Sequence, residues 1–162
     1  MKGNQKVIDS FNHLLANELA AIDQYFIHSR MYDDWGLNEL YERLEHEREE
    51  ETEHADFLIK RMLFLEGKPN LVKRRDLLIG NDVKEMMEND LVLEMEVVVA
   101  LREVISVCEQ EHDYQSREIL EKLLFDTEED HVYWLEQQIG LIGKIGIENY
   151  IQSKMGASNP AT

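Results

Sequence analysis

The chain has 162 residues, 43% of them apolar, with only two Pro and eight Gly, which suits one domain with a sizeable core. Its formal charge of −17 disfavours nucleic acid and anionic membranes as partners and favours cations. No apolar run approaches a membrane span, and the single Cys108 excludes both an internal disulfide and a four-Cys iron site. Residues 1–6 carry no apolar signal segment, so a cytoplasmic protein is expected.

A first helix is expected over about residues 4–35. Val7, Ile8, Phe11, Leu14, Leu15, Leu19, Ile22 and Phe26 follow the 3-4 spacing of one apolar stripe, with Glu18 beside it and Tyr25 seven residues on. Gly36 permits a tight turn, and Asn38 reads as the cap of a second helix. That helix carries Leu40, Leu44, Glu51, His54, Leu58 and Met62 inward and ends near residues 66–69. Residues 67 to about 81 lack helical period. A connection of that length suits a crossover spanning a bundle rather than a hairpin. Asp82 opens a third helix, through Met86, Leu93, Glu94, Val97, Leu101 and Ile105 to about residue 113. The fourth is expected from Ser116 through Leu120, Leu123, Glu128, His131 and Leu135 to about Ile142, and a short fifth over about 147–153, before a disordered tail. The fold class is therefore all-α: a four-helix bundle with a long crossover between the second and third helices.

The chemistry is concentrated in a repeated pattern. Glu51-Thr52-Glu53-His54 puts a carboxylate and an imidazole on one helix face, and Glu128-Glu129-Asp130-His131 repeats it. Each is preceded by a lone Glu in an apolar setting, Glu18 before the first by 33 residues and Glu94 before the second by 34. Counted from the turns, the members of each pair lie roughly 22–27 Å along their helices, so all six converge at one height in mid-bundle. One Glu from each of two helices and Glu-x-x-His from each of the other two is the ligand set of ferritin-like di-metal carboxylate proteins. Four carboxylates in an apolar core need cations to neutralise them, and no Lys or Arg stands at matching inward positions. A mixed oxygen and nitrogen set suits iron or manganese. The chemistry expected is oxidation of two Fe(II) by O₂ or peroxide.

Several stretches together resemble bacterioferritin over nearly the whole chain: Met1-Lys2-Gly3, the block from Asp23-Gln24-Tyr25-Phe26 to Ser29-Arg30-Met31, Asp34-Trp35-Gly36, Leu63-Phe64-Leu65-Glu66-Gly67 and His112-Asp113-Tyr114 with Ser116-Arg117. The resemblance implies a hollow 24-subunit shell that stores ferric mineral, with ferroxidase ligands Glu18, Glu51, His54, Glu94, Glu128 and His131. It implies an inner-surface iron relay at His46 and Glu50, where the family usually has Asp at the latter position. It also matches Tyr25 to a redox-active tyrosine beside the metals, and suggests a small ferredoxin as partner in iron release.

Two departures stand out. Thr52 occupies the place of the haem-ligating Met of the family, and a hydroxyl cannot replace a thioether on ferrous haem, so a homodimer is expected to lack the usual bis-Met haem. That feature resembles the haem-ligand-lacking subunit type, which implies either a homo-24-mer or a shell shared with a Met-bearing subunit. The fourth helix also carries one extra residue before Glu128, which a π-bulge or the preceding turn must absorb to keep the face. A discrete di-iron oxidase or peroxidase is the alternative; it needs a substrate cavity and an electron donor.

Overall fold

The computed structural model describes residues 1–156; the tail expected to be disordered, residues 157–162, lies outside them. Among the described residues every regular element is helical: α1 Gln5–Asp34, α2 Asn38–Phe64, α3 Val83–Gln110, α4 Tyr114–Asp126, a π-helical turn Thr127–Val132, α5 Tyr133–Ile145 and α6 Ile147–Lys154. Segments α4, the π turn and α5 follow one another without a break and form the fourth rod of the bundle. No helix among the described residues is long and apolar enough to cross a membrane.

The helix starts follow local chemistry. Asn4 caps α1 by accepting from the Lys6 amide at 2.8 Å, and Asp82 caps α3 by accepting from the Glu85 amide at 2.9 Å. Asn38 does not cap α2, contrary to expectation. Gly36 at φ 73° folds the chain back so tightly that the Leu37 amide returns to the Tyr32 carbonyl, and Asn38 is already the first helical residue. The fourth rod begins at Tyr114 rather than Ser116, because Asp113 is the cap and Ser116 its partner: the Ser116 amide donates to Asp113 Oδ1 at 3.1 Å and its hydroxyl to Oδ2 at 2.7 Å.

The core runs between the four rods. Phe11, Leu14 and Leu15 of α1 meet Leu44, Leu58 and Met62 of α2, with Met86, Leu93, Val97 and Leu101 of α3 and Leu120, Leu123 and Leu135 closing the far side. Cys108 is buried in the same core, as a small apolar filler. Helix α6 docks through Tyr150, whose hydroxyl donates to Gln138 Oε1 at 2.7 Å.

Residues 65–82 form the crossover, and polar staples fix its path along α1. The Asn70 amide donates to Asn12 Oδ1 (2.7 Å), Arg74 Nε to Asp23 (3.1 Å), the Leu78 amide to Gln24 Oε1 (2.9 Å) and the Gly80 amide to His28 Nε2 (3.2 Å). Those acceptors climb α1 from Asn12 to His28, about 24 Å at 1.5 Å per residue. His28, which had no partner evident in the sequence, is fully buried with Nδ1 2.8 Å from Asp90 Oδ1. Gly80 is required where it stands, since a Cβ there would meet the Met86 backbone at 2.5 Å.

Asp113 also receives Arg61 Nη2 at 2.8 Å. Burial pushes the Asp113 carboxyl up, but the Ser116 hydroxyl and amide and the Arg61 guanidinium outweigh it and hold the group below its ordinary value. Asp113→Ala is expected to cost about 2 kcal/mol at neutral pH, through the lost cap and an unpaired, mostly buried Arg61. A depressed carboxylate contributes stability above its unfolded value and loses it as pH falls through its folded value. Melting curves of both proteins should therefore converge on acidification; a constant gap would contradict the assignment.

Candidate metal centre

Helix geometry explains how the centre is assembled. On α2, Glu47, Glu50, Glu51 and His54 stand at i, i+3, i+4 and i+7, so one face carries three carboxylates and an imidazole. Glu18 comes from α1, Glu94 from α3 and His131 from the π turn. Glu18, Glu94 and His131 are 0–1% exposed, Glu51 1% and His54 4%. Two groups with ligand atoms mutually within 4.8 Å result: Glu18, Glu51 and His54, and Glu51, Glu94 and His131. Glu51 belongs to both. Its Oε2 lies 3.2 Å from His54 Nδ1 and its Oε1 2.8 Å from His131 Nδ1, and the two rings stack with centroids 5.9 Å apart.

The electrostatics are those of a site short of positive charge. Burial lifts the Glu18 carboxyl well above its ordinary value, and Glu51 and Glu94 add to the lift. Burial also pushes Glu51 upward, but neighbouring Glu18 and the charge of His131 win and hold it well below its ordinary value. The opposed directions favour a proton on Glu18 and the charge on Glu51. Burial and the neighbouring Glu51 raise Glu94. In His54 the carboxylate of Glu51 overcomes burial and raises the imidazole, and in His131 Glu94, Glu51, Glu47 and Glu50 do so more strongly. Both Glu18 oxygens, Glu94 Oε2 and His131 Nδ1 are buried without a hydrogen-bond partner. Orphaned carboxylate and imidazole atoms converging at this range fit a pair of divalent ions, which supply the missing charge.

Of the residues singled out in the sequence, the structure brings Glu18, Glu51, His54, Glu94 and His131 together and puts Tyr25 beside them, its hydroxyl donating to Glu94. Burial, with Glu94 and Asp90 nearby, lifts the Tyr25 phenol well above its ordinary value, so it is protonated. Glu50 lies on the far side of His131, with Oε2 3.1 Å from Nε2, and half-exposed His46 leads outward from it at 3.3 Å. Glu128 is not brought to the other five. The extra residue is absorbed by the π turn, but downstream of position 127: Thr127 takes the buried inward place, and Glu128 turns out to pair with Arg102.

Four neighbours went unnoticed in the sequence. Glu47 is 2% exposed with Oε2 2.8 Å from His131 Nε2, Asp130 joins Glu47, Glu50 and His131 in a third ligand-bearing group, and Asp126 lies 3.7 Å from His54 Nε2. Arg43 stands at the edge of the centre: it pairs with Glu47 and, at 2.6 Å, with Asp130, while lying over the Trp134 ring. Its place at the edge leaves Glu18, Glu51 and Glu94 without a permanent cation. Glu47 had a readable signal, its spacing of four from Glu51; Arg43 did not, because its long side chain reaches along the helix.

Comparison with known proteins agrees with this architecture. The Ferritin-like domain model matches residues 8–145. The chain belongs to the ferritin-like family. It is 57% identical over 155 residues to a bacterial ferritin of Synechocystis sp., covering 96% of this chain and 99% of that protein. It is 58% identical to a bacterial ferritin of Pseudomonas aeruginosa (96% and 100% covered) and 41% identical to a bacterioferritin of Brucella melitensis (99% of each).

The raised groups set a pH dependence. A group whose folded value is raised contributes stability below its unfolded value and loses it as pH rises through the folded one. Glu18, Glu94, His54 and His131 all have that sign, whereas depressed Glu51 has delivered its contribution by about pH 5. The melting temperature of metal-free protein is therefore expected to fall as pH is raised from about 5.5 to about 8.5, an interval that brackets the ordinary imidazole value, and Co(II) to flatten or reverse that slope. A metal-free melting temperature that climbs over the same range would contradict the proton assignment.

Proposed function

We propose that the chain stores and detoxifies iron. It takes two Fe(II) into the centre formed by Glu18, Glu51, His54, Glu94 and His131, oxidises them, and passes Fe(III) to the interior of a 24-subunit shell. The observation that carries this reading is the position of Glu51, common to both ligand groups, which suits a carboxylate bridging two ions. Glu18 with His54 and Glu94 with His131 then serve one ion each. His131 binds through Nδ1 and donates its Nε2 proton to Glu50 Oε2 at 3.1 Å, which fixes its tautomer, with the Glu47 carboxylate 2.8 Å away.

Electron balance is direct. Each Fe(II) loses one electron; O₂ takes two electrons and two protons to become hydrogen peroxide, or peroxide takes the same to become two waters. The proton that burial favours on Glu18 is released when the first ion displaces it. Tyr25 bonded to Glu94 stands where a further electron can be drawn, the part that the bacterioferritin resemblance gives it. Glu50 and His46 offer oxygen and nitrogen ligands on the way out of the bundle.

A bis-Met haem does not fit at position 52. The Thr52 hydroxyl is spent on the Arg48 carbonyl at 2.8 Å, and no thioether stands there. A homo-oligomer of this chain is accordingly haem-free, and in a shell shared with a Met-bearing subunit haem sits between partner subunits alone. Assembly itself is favoured by apolar surface on the α1–α2 side and the crossover: Phe26 and Phe57 are each 49% exposed and Val72 92%.

The test is an anaerobic Fe(II) titration of the chain purified alone, followed by admission of O₂, with sizing and a visible spectrum on the same sample. Uptake of up to about two Fe(II) per chain, a fast ferric absorbance, a large particle and no haem band are expected. Glu94→Ala and His131→Ala should each slow the fast phase by at least about tenfold, as expected for loss of a metal ligand. Survival of the fast phase in both variants would remove the centre from the mechanism, and small particles would point to an obligate partner subunit.

A further inference from the structure

A groove of about 770 Å³ lies between α1 and α3, away from the metal centre. Helix α1 packs between α2 and α3, and α3 packs in turn against the fourth rod. The α1–α3 side is therefore opposite the side where α2 and the π turn carry His46, Glu50 and Asp130. The wall along α3 is apolar: Val92, Met95 and Val99 stand at i, i+3 and i+7, and each is 44–51% exposed. Volume and lining are those of a small-molecule site, a mainly apolar hollow with a few polar groups.

The polar groups define what the hollow can hold. Asn17 of α1 lines it at 8% exposure, and its side-chain amide hydrogen-bonds to no other residue among the described ones. A buried amide left so needs a partner from outside the chain. Arg75 of the crossover is spent on Glu96, with Nη2 2.5 Å from Oε2. Glu103 lines the groove as well and pairs with no Lys or Arg among the described residues. Arg75 and Glu96 cancel, so Glu103 leaves one unmatched negative charge, on a chain of net charge −17.

Resting on the reading that His46 and Glu50 lead to the shell interior, we propose that this groove is an outward-facing binding site for a small apolar monocation, an alkyl- or arylammonium. The ammonium N–H groups donate to Asn17 Oδ1 and the Glu103 carboxylate, and the hydrocarbon covers Val92, Met95 and Val99. An anion would meet Glu96 and Glu103 with the one guanidinium already engaged, and a neutral molecule would leave Glu103 unanswered.

The experiment is equilibrium dialysis of the assembled, metal-free shell against octylammonium, octanoate, octanol and butylammonium, at about pH 8, above the ordinary imidazole value, because His13 also lines the groove. Octylammonium should bind at about one per chain, with octanoate, octanol and butylammonium each at least about tenfold weaker through loss of the charge or of buried methylenes. Glu103→Gln should weaken octylammonium about fivefold, the upper range for an ion pair open to solvent, and leave octanol unchanged. Val99→Lys should abolish octylammonium binding, and Asn17→Ala should weaken it at least about threefold, the scale of a hydrogen bond.

Octanoate or octanol binding as tightly as octylammonium would overturn the cation assignment. Unchanged binding in Val99→Lys would put the ammonium elsewhere on an acidic surface and overturn the site. Binding by dissociated subunits but not by the shell would give the groove to a second copy of this chain. The orientation on which the site rests is read separately, with a polymer-linked maleimide too large to enter the shell: it should label Val99→Cys and spare His46→Cys. The reverse pattern would overturn the outward placement while the dialysis still decides the ligand class.

Discussion

Glu51 lies within a few ångströms of Glu18 on one side and of Glu94 on the other, all three at no more than 1% exposure, and the bundle is built around the cost of keeping them there. Without metal the crowding favours a proton on Glu18, and the carboxylates favour the charged form of the His54 and His131 imidazoles. Neither device satisfies every oxygen, and the unpartnered atoms of Glu18 and Glu94 remain. Such a core is poised rather than optimised. Its unpartnered oxygens and raised imidazoles are what a site able to accept cations would show.

Keeping those side chains at one level is a problem of register between four rods. The α1–α2 and α3–α4 connections are short, and each is closed by a residue in the left-handed region or its neighbour: Gly36 at φ 73° and His112 at φ 57°. The crossover also leaves α2 through a left-handed residue, Glu66 at φ 60°, but its onward path is set by Asn12, Asp23, Gln24 and His28, which hold it at four points along α1. The buried His28–Asp90 pair ties the same staple into α3, one turn before Glu94. The height of Glu94 opposite Glu18 is thereby linked to the path of the loop.

Much of this was legible in the sequence. The apolar stripes gave the rods, the long aperiodic stretch gave the crossover, and the paired Glu-x-x-His motifs with lone Glu residues gave five side chains that the structure brings together in the candidate centre. What escaped it follows from two physical causes. Side chains that act at a distance from their own Cα, such as Arg43 reaching Glu47 and Asp130, leave no periodic trace. An inserted residue shifts faces by an amount that depends on where the helix absorbs it: the spacing between Glu128 and His131 is intact, yet only His131 faces inward, because the π turn lies across the motif rather than before it. Asn38 failed as a cap for a third, local reason, a turn closed by backbone bonds alone.

The crossover carries a consequence for how this chain can vary. Its 18 residues between Phe64 and Val83 could extend over about 60 Å, while the 27-residue α2 whose length it retraces is about 40 Å long. The surplus is gathered between the staples at Asn70 and Arg74, where Leu71, Val72 and Lys73 bulge outward. Spare contour at one bend lets that bend take insertions and deletions without moving the candidate centre, since loop length changes chain entropy only slowly. From Leu78 onward the chain has no such freedom. Lineages should therefore diverge in length around residue 72 and hold their spacing from Gly80 to Glu94.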